Sequence, residues 1–419
     1  MFMKKKLFKR SNLLNFLGTI ALTALCCLIF LTCDQAPLFY NISIAPPKRD
    51  PSIQGSPCNI IYLGTDILAD ANAIMFVGTK NSESIYYNDK GTNGKWQKLS
   101  KSPGGYLLEL ATDGTYLYAL LHDGNIMNST FIKVYDPALK IWFGKKHSFT
   151  KDHSMQTLYG AGDKIFVGSQ YTENKFTKYE ILYFDTTDVD HDKWKLNQIK
   201  NETSLLSGAV EANPGNFFLA TMGDGVFEYD GTAVTGQVTG TEKTNILGII
   251  KTGTSGAIVA TSSDSTSKGS TFIYDTVLNK FTQESRNINF TGAMGVWYMY
   301  NSAIPGWESK LLLLGIRGSS SNQGYREMIL DTDGIPVKNA EDKTELRTPG
   351  GDKPTSVTDK AKYNASIGKH PVMSIRQAPT AFYPTVHSEN DIPIFASTSV
   401  NGLWSYKMDN GEYQWNAEE

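Results

Sequence analysis

Cysteine is scarce in this 419-residue chain: there are four, Cys26, Cys27, Cys33 and Cys58. Three lie in the first 33 residues, so a chain cut there keeps only Cys58 beside its new end. That excludes an intrachain disulfide framework, and a core of this length needs no such staples. A surplus of either charge is also missing, with 40 Lys and Arg against 42 Asp and Glu. The first 32 residues hold five cations (Lys4, Lys5, Lys6, Lys9 and Arg10) and no acid, so their removal takes the formal net charge from −2 to −7. A chain without a basic face is not expected to bind nucleic acid. Histidine is limited to six residues, His122, His147, His153, His191, His370 and His387, and none falls in a zinc-binding spacing. Neither a Gly-x-Ser-x-Gly elbow nor a phosphate-binding glycine loop occurs. No cofactor and no metal are expected.

Aromatic residues and glycine are plentiful: 11% Phe, Trp and Tyr, and 37 Gly. They fall into a repeated phrase, a short apolar run closed by a small residue. Its copies end at Gly78, Ala119, Gly168, Ala220, Ala260, Gly315 and Ala396, at spacings of 41, 49, 52, 40, 55 and 81. After each comes an aromatic or apolar pair ending in an acid or amide: Tyr86-Tyr87-Asn88, Val134-Tyr135-Asp136, Tyr183-Phe184-Asp185, Glu228-Tyr229-Asp230, Ile273-Tyr274-Asp275 and Ile329-Leu330-Asp331. The seventh, Trp404-Ser405-Tyr406-Lys407, has lost the acid. Another strand led by Trp96, Trp142, Trp194, Phe281 or Trp415 follows most of them. Tyr, Phe, Val and Ile suit a pleated, half-buried surface, and an Asp behind each pair can accept bonds from the backbone two residues on. A repeat of 40 to 50 residues carrying four strands is the mark of a propeller. The expected fold is all-β, a seven-bladed β-propeller of four-stranded antiparallel blades over 58–419. The small residues would let adjacent blades close up near the axis. An ordinary β-sandwich is the competing architecture. The polar stretch 341–370 is expected to be a loop insertion, because nothing periodic occurs in it.

The N-terminus has a basic head and then a hydrophobic segment from Leu13 to Leu31, the layout of a secretory signal. It ends at Phe30-Leu31-Thr32-Cys33, which resembles a bacterial lipoprotein signal, in its looser spirochaete-type form because Phe30 and Thr32 depart from the usual pattern. The resemblance implies removal of 1–32, acylation of Cys33 with fatty acid such as palmitate, and a membrane anchor in the cell envelope. Cys27 is an alternative site of the same kind, and an uncleaved anchor or plain secretion remain the other readings of the leader. Residues 33–57 then form an extended tether punctuated by Pro37, Pro46, Pro47, Pro51 and Pro57. Within it Leu38 to Ile44 alternates like a strand that could help close the ring. This segment is similar to the leading segment of some spirochaetal propeller lipoproteins. One blade, Val134-Tyr135-Asp136-Pro137 through Trp142, resembles a kelch repeat, and Asn88 through Trp96 resembles a stretched sialidase Asp-box. Both are structural devices and imply no catalysis.

The loops between second and third strands gather on one face of a propeller. Here they are rich in hydroxyls and amides with single charges, suited to a glycan or a peptide main chain. The candidate ligand-binding residues are Lys80, Asn81, His122, Asp123, Gln170, Tyr171, Asp224, Asp264 and Arg317, with Trp307 as an exposed anchor. Asp185 to Asp192 alternates acids as a calcium loop would, without that loop's glycine and distal glutamate. The expected function is a monomeric, membrane-tethered module that binds an envelope protein or glycan. The alternative is a glycan-active or lactonase-like hydrolase at the axial mouth, with Asp123, Asp224, Asp264, His122 and Arg317 as its residues.

Overall fold

The computed structural model describes residues 53–418, apart from single positions and several internal stretches, chiefly 65–71, 125–128, 253–256, 264–268, 289–293, 299–309, 317–323, 341–345, 348–366 and 383–392. The expected leader, Cys33 and the expected strand at 38–44 lie outside the described residues, as do Asp264, Arg317 and Trp307. No described helix is long and apolar enough to cross a membrane.

The fold is an all-β propeller of four-stranded antiparallel blades. The described strands fall into seven sheets, each built from four strands consecutive in sequence. Innermost in the seven are Ile61–Leu63, Tyr106–Thr112, His153–Ala161, Leu206–Asn213, Ile246–Lys251, Met294–Tyr298 and Val372–Gln377. The repeated apolar phrase is the second strand each time, from Ile74–Gly78 in the first sheet to Ile394–Thr398 in the last. In the second sheet this strand, Leu117–His122, is buried at every position, as expected of a strand with a sheet on either side.

The small residues sit at close approaches. A Cβ on Gly78 would lie 2.1 Å from Leu107 of the next sheet, and one on Gly168 would lie 2.9 Å from Cβ of Leu206. The acids behind the aromatic pairs close the outer hairpins. Asp136 Oδ1 accepts from the amides of Ala138 at 2.8 Å and Leu139 at 2.9 Å. Asp275 does the same for Val277 and Leu278 at 2.9 and 3.0 Å. The Asp-box-like stretch is also a turn, in which Asn88 donates to Gly94 O at 2.9 Å.

Between neighbouring sheets the apolar side chains interdigitate. One cluster joins Tyr118 and Ile132 of the second sheet to Val167, Phe184 and Trp194 of the third, and another joins Leu311 and Tyr325 of the sixth to Val372, Ile394 and Trp415 of the last. Polar bonds cross the seams nearer the axis. Thr157 Oγ1 donates to Leu206 O at 2.9 Å, and Ser207 Oγ to Ile246 O at 2.6 Å. The first and last sheets meet through Ile60 N–H, which donates to Ser374 Oγ at 3.1 Å.

Two boundaries differ from expectation. Ile53, placed by sequence in the tether, is fully buried with Trp96 and Phe395. Its carbonyl accepts from Leu403 N–H at 3.1 Å, and that of Gly55 from Gly402 N–H at 3.0 Å. A single apolar residue among prolines carries no periodicity, so sequence could not mark it as core. The polar stretch from 341 also supplies a strand: Leu346–Arg347 is the fourth of the sixth sheet, with Leu346 opposite Met328.

Candidate functional site

The predicted loop residues divide between two small networks and isolated turns. At the seam of the first and second sheets, Lys80 Nζ meets Glu109 Oε2 at 3.0 Å. The carboxylate's charge holds the Lys80 ammonium above its ordinary pKa, against the effect of burial. Glu109 also accepts from Asn59 N–H at 2.8 Å. Beside this pair, Asn81 Oδ1 lies 3.2 Å from His122 Nε2, and the His122 ring packs on Tyr106 with centroids 5.4 Å apart. Asn81 sits at φ 58°, a conformation that asparagine tolerates at a turn.

Gln170 and Tyr171 are not in a loop. The second strand of the third sheet runs on through Lys164–Glu173 and returns as Phe176–Asp185, so the turn is only Asn174 and Lys175, both at positive φ. That pair makes the tight turn whose twist matches a hairpin. Tyr171 stacks on His153 at 4.9 Å, and His153 Nδ1 bonds Glu180, which is fully buried and also receives Gln198. Asp224 is spent on the segment that leads into its sheet, accepting from Ser204 N–H at 2.5 Å. Exposed Asp123 bonds Ser129. In the acid-rich loop Asp188 and Asp190 accept from backbone amides two residues on, at 2.9 and 3.1 Å. Among the described residues no group of three or more His, Cys, Asp or Glu is placed to hold a metal. Cys58 is buried in the apolar cluster under the first two sheets, and burial pushes its thiol pKa far up; it is an inert filler.

A cavity of about 380 Å³ lies where the innermost strands converge. This is within the usual range for small-molecule sites. Its lining draws on the inner strands of the first five sheets and the last: Tyr62, Thr112, Tyr159, Ser207, Glu211, Lys251, Ser374 and Arg376 carry the polar groups, between Gly160, Gly208 and Gly248. Thr112, Glu211, Lys251 and Arg376 stand near the turns into the second strands, since Thr112 pairs with Leu117, Lys251 with Ile258 and Arg376 with Phe395. That end of each sheet is opposite to the loops in which the candidates were expected.

The charges of this lining are unevenly answered. Glu211 Oε1 accepts from Gly215 N–H at 3.0 Å. Lys251 Nζ donates to Ala212 O at 2.8 Å across the seam of the fourth and fifth sheets. Arg376 donates through Nε to Ile60 O at 3.3 Å, and burial lowers its pKa below the ordinary guanidinium value. Burial, followed by the nearby Glu109 charge, raises the Tyr159 phenol. Sequence reasoning missed these residues because it looked to loops. The available signal was a charge inside an otherwise apolar leading strand, as in Ile246-Leu-Gly-Ile-Ile-Lys251 and Val372-Met-Ser-Ile-Arg376.

No known family description matches the chain, and no curated protein matches it. Solved structures do resemble it. A chain of the mitotic checkpoint complex crystal structure is 11% identical, with 88% of this chain and 100% of that one covered at a TM-score of 0.49. The extracellular domain described as that of a one component system from B. thetaiotaomicron is 12% identical, with a TM-score of 0.47 and 86% of this chain covered. The present chain spans 40% of that second protein. Neither likeness bears on function, because one fold hosts many activities.

Proposed function

We propose that the chain is a lipid-anchored protein of a bacterial envelope whose propeller is a binding module for a glycan or a partner protein. The observation that carries this reading is the axial cavity, a concave site of about 380 Å³ faced with hydroxyls, phenols and charged groups. Fixed polar groups on rigid strands, set in a recess, are the usual build of a ligand site. The expected loop residues support it less, since Lys80, Asp123 and Asp224 hold other parts of the chain.

The anchor rests on the leader and Cys33. In this reading the protein works as a monomer held near the membrane by its acylated N-terminus. All seven sheets are taken as blades of one closed ring, rather than six with one set apart. The Ile60 bonds to Ser374 and Arg376, and a cavity lined from both the first and the last sheet, support that closure. An experimental map showing six blades would overturn the count.

The function is tested with the full chain in detergent, by glycan-array binding and by capture from envelope extract followed by mass spectrometry. Retention of a glycan or of one envelope protein is expected. Turnover of an array glycan, released as cleaved product, would sink the binding reading. The mass of the N-terminal peptide tests the anchor separately, with acylated Cys33 expected and an unmodified Cys33 overturning it.

A further inference from the structure

Arg376 is the cavity residue whose surroundings are least complete. It lies on the innermost strand of the last sheet, where that sheet meets the first, and it lines the axial cavity. One of its five N–H groups donates to Ile60 O at 3.3 Å. Among the described residues no carboxylate lies within ion-pair distance of its guanidinium; the described pairs are all made by other cations. The side chain is half-buried, and the surrounding protein's displacement of water is the physical cause of its lowered pKa.

A second cation, Lys251, lines the same cavity and is bonded to a backbone carbonyl rather than to an acid. The carboxylate of the described lining, Glu211, already accepts from an amide. Glu109, an acid on the innermost strand Tyr106–Thr112, is paired with Lys80. The cavity thus carries more positive than negative charge, in a chain that is acidic once its leader is discounted. A desolvated cation without a counter-charge is costly. Arginine's planar fork matches the two oxygens of a carboxylate or phosphate better than any other side chain.

From this geometry we propose that the axial cavity is an oxyanion-binding site, in which Arg376 receives the carboxylate or phosphate of a small acidic ligand and Lys251, on the same lining, adds positive charge. The inference rests on the binding reading above and narrows it to acidic ligands. Tyr159 and Tyr62 on the same lining offer aromatic surface to the body of such a ligand, as to the face of an acidic sugar.

The test uses the full chain in detergent with four probes: inorganic phosphate, acetate, glucuronate and glucose. Thermal shift and calorimetry are read for the native chain and for Arg376→Gln, Arg376→Lys and Lys251→Gln. Acids should raise the melting temperature and glucose should not. A response to phosphate alone assigns a phosphate site, and one to acetate and glucuronate a carboxylate site. Arg376→Gln should weaken binding by about 100-fold and Arg376→Lys by about tenfold, since lysine keeps the charge but loses the fork. Without ligand, Arg376→Gln should melt no lower than the native chain, because it removes a half-buried charge without a counter-charge. Equal affinity of Arg376→Gln and the native chain for an acid, or no response to any of the three acids, overturns the proposal. Equal binding of glucose and glucuronate overturns it too, while leaving the broader binding reading standing.

Discussion

Gly160 shows how little room the axis allows. It lies on an innermost strand, and a Cβ there would come within 1.8 Å of Thr112 O on the neighbouring sheet. The obstacle is backbone, so no rotamer relieves it. Gly160→Ala is expected to destabilise the chain by about 1–3 kcal/mol, toward the upper end, as measured by denaturant unfolding. His147 makes a different demand. It is buried, its Nδ1 lies 3.1 Å from Trp194 O, and burial lowers its pKa. The folded state therefore favours the neutral ring, while the unfolded chain takes up a proton near pH ~6.5. Stability from this group is complete above that pH and falls as the pH drops below it toward the folded value. The melting temperature should decline between about pH 7 and 5, and less steeply in His147→Asn, which keeps an N–H donor. An equal slope in the two proteins would show that His147 is not the group responsible.

The unit of construction is an element, the outer hairpin with its acid. Asp136, Asp185, Asp230 and Asp275 each accept from backbone amides two or three residues ahead. For exposed Asp230 the bonds from the Thr232 hydroxyl and the following amides hold the carboxyl below its ordinary pKa. Asp275→Ala removes the oxygen that accepts from two amides and should cost about 0.5–1.5 kcal/mol per bond at most. Chemical denaturation would show it, and because the hairpin tip is exposed the fold should survive. Asp275→Asn should recover much of the loss, since one oxygen suffices to accept. These turns were legible in the sequence because the acid stands at a fixed place after an aromatic pair. The extent of the third sheet's long hairpin was not legible: Asn174-Lys175 is a tight turn only when the polar residues on both sides pair as strands.

Over the whole molecule, stability depends on how the two ends of the described chain are held. Ile53 is buried against Trp96 and Phe395, and its carbonyl and that of Gly55 bind the start of the Leu403–Asp409 strand. A chain begun at residue 58 should melt a few degrees lower than one begun at residue 50. Loss of one buried isoleucine is worth about 1.5–3 kcal/mol, and calorimetry of the two forms checks it. Identical melting would show that this contact does not stabilise the ring.

By itself the sequence determined the kind of strand, the length of the repeat and the hairpin chemistry. Those are local matters: the spacing of small residues, aromatic pairs and acids is written along the chain, and each copy answers to the same short-range physics. It also carried the basis of the proposed leader and Cys33 anchor, a reading that needs no fold. Only the tertiary structure decided which polar groups are spent and which are left over. Lys80 and Glu109 are 29 residues apart, and Ile60 and Arg376 are 316 apart. Nothing along the chain records that the first finds a partner while the second faces a cavity. The convergence of inner strands from distant repeats creates that cavity and sets the charge in it.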